Sequence, residues 1–98
     1  MFARINCCVP GCRRGTRKFE NADDVICGKC WRFISKAAKA DYRRTRAALE
    51  AMERQGDAED AACTVMPETL QKYHAAHEAF CEVWSRCKSE AIEAAAGI

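Results

Sequence analysis

Residues 7–12 read CCVPGC and residues 26–31 read ICGKCW. Cysteines this close serve a disulfide, a nucleophile or a metal ion, and the spacing separates these uses. A structural zinc ion takes four ligands in a tetrahedron, and a pair of cysteines two to four residues apart can wrap one edge of it. Cys27 and Cys30 have that spacing, and so does Cys12 with either Cys7 or Cys8. Pro10-Gly11 permits a sharp knuckle between the first ligands, and Gly28 lets backbone amides approach a thiolate. The fourteen residues between Cys12 and Cys27 are enough for a short hairpin that returns the second pair to the first. Zn2+ is therefore the expected cofactor.

The rest of the chain agrees with that reading. At 98 residues, 49% of them hydrophobic, it can form one small domain, a size at which a metal or a helix interface commonly supplements the core. Its opening has no apolar run of signal-peptide length, and no segment approaches the roughly 20 apolar residues of a membrane span. The expected location is the cytoplasm, without membrane contact. Thiol pools there oppose disulfides, so eight cysteines in such a chain point to metal before cross-links.

Around the cysteines the residues are punctuated by turns. Arg17-Lys18-Phe19-Glu20 and Asp24-Val25-Ile26 read as two short strands about Asn21-Ala22-Asp23. Trp31-Arg32-Phe33-Ile34 reads as helical, so Cys27 and Cys30 would come from a first helical turn, where free N–H groups favour thiolate. Beyond Ser35, a suitable N-cap, helix formers dominate, and a helix is expected over about 36–55, either separate or continuous from the second cysteine pair. Gly56 is its expected stop. Ile34, Ala38, Tyr42, Thr45, Leu49 and Met52 form a thin apolar stripe along it.

Pro67 suits the first turn of a second helix, expected to about residue 95. Leu70, Tyr73, His77, Phe80, Trp84, Cys87, Ala91 and Ala94 follow in steps of three and four as one seam. Folding the two helices into an antiparallel hairpin, with residues 57–64 as the turn, buries both stripes. A homodimer through Tyr73, Phe80 and Trp84 is the competing way to cover the seam. The expected architecture is mainly α: a zinc-bound module with a small β-hairpin over 1–34, then a two-helix hairpin over 35–98.

A knuckle, a hairpin and two ligands at a helix start describe the treble-clef finger, and the chain resembles that class through CCVPGC and ICGKCW. VPGC followed by arginines and then ICGKCW is also similar to short zinc-binding proteins of bacteriophages and prophages, whose helix start reads I-C-G-K-H-W. Cys30 stands here where that pattern has histidine. The resemblance implies Cys7, Cys12, Cys27 and Cys30 as the ligands, with Cys8 spare, and a bacterial host cytosol. Two other likenesses fail. THAP fingers share the opening but need a much longer segment before their second pair, and HNH nucleases need a general-base histidine, which residues 13–26 lack.

Charge divides the chain. Residues 1–54 carry 13 basic and 6 acidic side chains, net +7, and residues 55–98 carry 3 and 8, net −5. Arg13, Arg14, Arg17, Lys18, Lys29, Arg32 and Lys36 could share a face of the module and meet phosphates, with Trp31 and Phe33 available to stack. Contact with nucleic acid is the first expectation. The alternative is a phage-type interaction or inhibitor module that binds an acidic host protein. His74, His77, Cys81 and Cys87 suggest a second metal, but His77 and Cys81 lie in or beside the aromatic seam, which favours a packed histidine and a buried thiol. Cys63 has no neighbouring base, so enzymatic activity is not expected.

Overall fold

The computed structural model of the chain describes residues 4–17 and 24–97. Two short strands, β1 (Ile5–Asn6) and β2 (Gly15–Thr16), precede a one-turn helix α1 (Gly28–Trp31) and two long helices, α2 (Lys36–Ala61) and α3 (Pro67–Ala96). The chain divides into two compact units. One holds the described residues up to Lys36 together with those from Arg86 onward, and the other holds Ala37–Ser85.

In the first unit the chain reverses at Pro10-Gly11. Gly11 has φ +83°, and the Cys12 N–H donates to the Val9 carbonyl at 3.1 Å. These are the marks of a type II turn, whose third position requires a positive φ and therefore glycine. The reversal lets β1 pair antiparallel with β2, Ile5 opposite Thr16 and Asn6 opposite Gly15. The Cys7 N–H extends the ladder to the Arg14 carbonyl at 2.8 Å. A Cβ on Gly15 would stand 2.7 Å from the Ile5 carbonyl oxygen, so only glycine allows this approach.

The antiparallel hairpin therefore brackets the first cysteine pair, whereas the expected hairpin lay between the two pairs. Of the strand expected from Arg17, residues 18–20 lie outside the described residues, and Arg17 itself is a bend. Of Asp24-Val25-Ile26, Val25 makes an isolated parallel bridge to Cys7, and its carbonyl accepts the Cys8 N–H at 2.8 Å. Val9, Val25, Ile34, Cys87 and Ala91 supply the buried apolar side chains of this unit beside Cys7 and Cys30.

Helix α1 stops at Trp31, short of the expected run through Ile34. The N–H groups of Phe33 and Ile34 turn back to the carbonyls of Cys30 and Trp31 in tight i to i−3 bonds. The Ser35 N–H then leaves the helical ladder altogether and donates to Glu90 Oε1 at 2.9 Å. With that donor diverted to a side chain, α2 begins afresh at Lys36.

In the second unit α2 and α3 form the helical hairpin. Tyr42 packs against Phe80 and Trp84, with ring centroids 5.6 and 5.8 Å apart in tilted arrangements that suit the aromatic quadrupole. Ala38 and Leu49 are buried, and Tyr42, Thr45 and Met52 are half-buried, so the stripe on α2 is covered throughout. The seam on α3 is uneven: Tyr73, Phe80 and Trp84 are half-buried, while Leu70, His77 and Ala94 are exposed.

Helix α2 passes through Gly56 and ends six residues beyond the expected 55. Its stop is Cys63, held at φ +55°, with the Thr64 N–H on the Glu59 carbonyl at 2.8 Å and the Cys63 N–H on the Asp60 carbonyl at 3.0 Å. That pair of bonds is a Schellman cap, which satisfies carbonyls that a helix end leaves free. The Thr69 hydroxyl adds a bond to Glu59 Oε1 at 2.9 Å, tying the start of α3 to the last turns of α2. Pro67 opens α3 as expected, and Gly97, at φ +76°, follows its end. Among the described residues no helix is long and apolar enough to cross a membrane.

Candidate metal centre

Four segments of local structure each contribute one sulfur. Cys7 leaves the hairpin ladder, Cys12 closes the type II turn, Cys27 caps α1 and Cys30 sits in its only turn. The Sγ atoms of Cys7, Cys12, Cys27 and Cys30 all lie within 4.8 Å of one another. Cys12 and Cys27 are 3.7 Å apart, and Cys30 and Cys12 are 3.8 Å apart. Four thiolates at the zinc–sulfur distance of about 2.3 Å on the corners of a tetrahedron would stand about 3.8 Å from each other. The spacing is far beyond a disulfide's S–S length of about 2.05 Å, and all eight cysteines are free thiols. The cluster thus fits a metal ion such as zinc.

Its surroundings are those of an ion site. Cys7 and Cys30 are buried, Cys12 and Cys27 half-buried. The Cys27 N–H donates to Cys7 Sγ at 3.4 Å, a bond of the kind that orients a thiolate ligand. Burial opposes ionisation of Cys27, but hydrogen bonds from the Cys30 N–H and from the Cys30, Cys12 and Cys7 thiols outweigh it and bring that thiol down to about 7. Burial, then hydrogen bonding to Cys27, Cys7 and Cys12, pushes Cys30 up. A divalent cation bound there would hold all four sulfurs as thiolates.

Cys8 stands outside the cluster, half-buried, its thiol raised by burial and then by Cys7 and Asp24. Its backbone N–H on Val25 is its structural contribution.

Arg13, Arg14, Arg17, Lys29, Arg32 and Lys36 are all exposed, and Lys18 lies outside the described residues. Arg13 and Arg14 follow Cys12 directly, while Lys29 and Arg32 flank Cys30. No described carboxylate pairs with the side chains of Arg13, Arg14, Lys29, Arg32 or Lys36. Farther along α2, by contrast, Arg44 pairs with Asp41 and Arg46 with Glu50. Phe33, beside Arg32, is 63% exposed.

Two groups near the cluster had no sequence signal. Lys88 Nζ, on α3, reaches Asp24 Oδ2 at 2.8 Å, and Glu90 receives the Ser35 N–H. Nothing in a single sequence marks pairs 64 and 55 positions apart. The chain matches no family model, no curated protein sequence and no solved structure.

Proposed function

We propose that the chain is a zinc-stabilised binding protein whose treble-clef-like N-terminal finger contacts nucleic acid. The reading is carried by one observation: five exposed cationic side chains with no carboxylate partner among the described residues, Arg13, Arg14, Lys29, Arg32 and Lys36, sit on or beside the segments that bear the ligands. Cations held on a metal-braced frame can neutralise phosphates without first being ordered, and the exposed Phe33 ring offers a surface on which a base can stack. In this reading Zn2+ supplies shape and takes no part in chemistry, and Cys7, Cys12, Cys27 and Cys30 hold it. The turn at Pro10-Gly11 and the ligands at the start of α1 are the features that support a treble clef.

If each of the five side chains meets one phosphate, log affinity for random duplex DNA should fall against log salt with a slope of about −4.5. Replacing Arg13, Arg14 and Arg17 together by alanine should weaken binding and flatten the slope. Retention that ignores salt, or is unchanged by the triple substitution, sinks the proposal.

One observation favours a protein partner, although one of cationic and not acidic character. In the helical-hairpin unit Met52, Val65, Leu70 and Tyr73 line a recess of about 280 Å³ whose rim carries Glu53 and Asp57. Val65 and Leu70 are more than half exposed there. A recess of this size suits one apolar side chain of a partner, with a neighbouring cation on the carboxylates.

A further inference from the structure

We propose that His77 and Cys81 form a second metal site, on the exposed face of α3, for a thiophilic divalent ion of the zinc and cobalt class. Their place in the seam led to the expectation that both would be packed away. Both are exposed. Cys81 Sγ lies 3.8 Å from His77 Nδ1 and 3.9 Å from Nε2, one helical turn apart. A tetrahedral ion with sulfur at about 2.3 Å and imidazole nitrogen at about 2.0 Å holds them about 3.5 Å apart. Because the sulfur lies almost equally far from both ring nitrogens, the imidazole must also turn about its Cβ–Cγ bond to aim one nitrogen at a shared ion, a rearrangement open to an exposed side chain.

The imidazole also has an aromatic neighbour. The Tyr73 ring stacks on His77 at 6.1 Å between centroids and 26° between planes, on the helical turn preceding His77. Stacking favours one ring orientation, so part of that contact is given up when the imidazole turns toward an ion. Sulfur with imidazole is a donor set that suits zinc or cobalt and is poor for magnesium or calcium.

Among the described residues, Cys7, Cys12, Cys27 and Cys30 make the only group of three or more donors. The second site thus has two protein donors, with its other positions open to water or to another molecule's donor. It should bind orders of magnitude more weakly than the four-thiolate cluster and exchange its ion readily. The site lies wholly in the helical-hairpin unit, so it stands independently of the finger's proposed function.

The test uses the full chain carrying one zinc, titrated with Co2+ while elemental analysis follows the zinc. Wild type should take up one further metal equivalent, with thiolate-to-cobalt charge-transfer absorption, and keep its zinc. Cys81→Ser should abolish that absorption, His77→Ala should weaken uptake at least about tenfold, and Cys63→Ser should change neither. Both residues are exposed, so unchanged helical circular dichroism in each variant separates lost ligands from lost fold. Absence of a second equivalent with free Co2+ raised to about 1 mM, or uptake indifferent to both His77→Ala and Cys81→Ser, overturns the proposal and leaves the pair as a thiol–imidazole contact.

Discussion

Lys88 Nζ and Asp24 Oδ2 meet at 2.8 Å, joining the last helix to the segment that leads into the second cysteine pair. Both side chains keep about a third of their surface, 30% and 31%, so the pair is neither fully solvated nor buried. Its coupling, measured as a double-mutant cycle with Lys88→Ala and Asp24→Ala in urea unfolding of the metal-loaded chain, should come to about 1 kcal/mol. A coupling indistinguishable from zero would mean that α3 is held to the cysteine module by apolar burial alone, through Cys87 and Ala91.

Glu90 carries a second tie and makes it pH-dependent. The Ser35 N–H, then the Ser35 hydroxyl, then Arg86 hold its carboxyl below the ordinary 4.5. A carboxyl whose folded value is depressed stabilises the fold fully above its unfolded value, and that contribution is lost as pH falls through the lower folded value. The carboxyl-carbon NMR shift of Glu90 should therefore titrate below 4.5, and Ser35→Pro, which removes the N–H donor, should move it upward. A midpoint at or above the ordinary value would refute the assigned bond.

Metal removal should act unevenly. A strong chelator should abolish amide-exchange protection at Cys7, Cys8 and Cys12, whose N–H bonds depend on the gathered cysteines, because a site of this kind couples ion binding to local folding. Protection in residues 37–61 and 67–85 should survive, since Tyr42, Leu49, Phe80 and Trp84 bury their surfaces without the ion. Simultaneous collapse of both regions would show that one cooperative unit spans the chain.

Cys63 is predicted to be a site of easy stabilisation. At φ +55° its Cβ is crowded, and glycine removes that strain at the cost of greater freedom when unfolded. Cys63→Gly should raise stability by about 0.5–1 kcal/mol, read from the urea midpoint. A loss would show that the thiol itself contributes to the cap.

Legibility followed the range of the interaction. Pro10-Gly11 signals its turn because the required φ values belong to those residue types, and Pro67 opens α3 because its missing N–H is harmless only there. The apolar steps from Ala38 to Met52 mark a covered face for the same local reason. Gly56 misled: glycine is permitted, not compelled, to end a helix, and the bonds of Thr64 and Thr69 to Glu59 carry α2 past it. The hairpin was expected between the cysteine pairs because β-propensity there was visible, while the close approach of Gly15 to the Ile5 carbonyl depends on a partner strand.

By itself the sequence determined the spacing of the cysteines, the reversal between the first two and the two amphipathic helices, all of them consequences of residues within a few positions of each other. The spacing left Cys7 and Cys8 open and only the resemblance favoured Cys7; the tertiary structure gathers Cys7, and not Cys8, with Cys12, Cys27 and Cys30. It alone decided that Asp24 meets Lys88, that Ser35 meets Glu90, and that His77 and Cys81 face outward. The physical reason is that adjacent residues in extended chain point to opposite sides, so which neighbour turns toward the cluster depends on the strand register. That register is set here by bonds to Arg14, across the turn, and to Val25, 18 positions from Cys7, and the spacing within CCVPGC does not encode it.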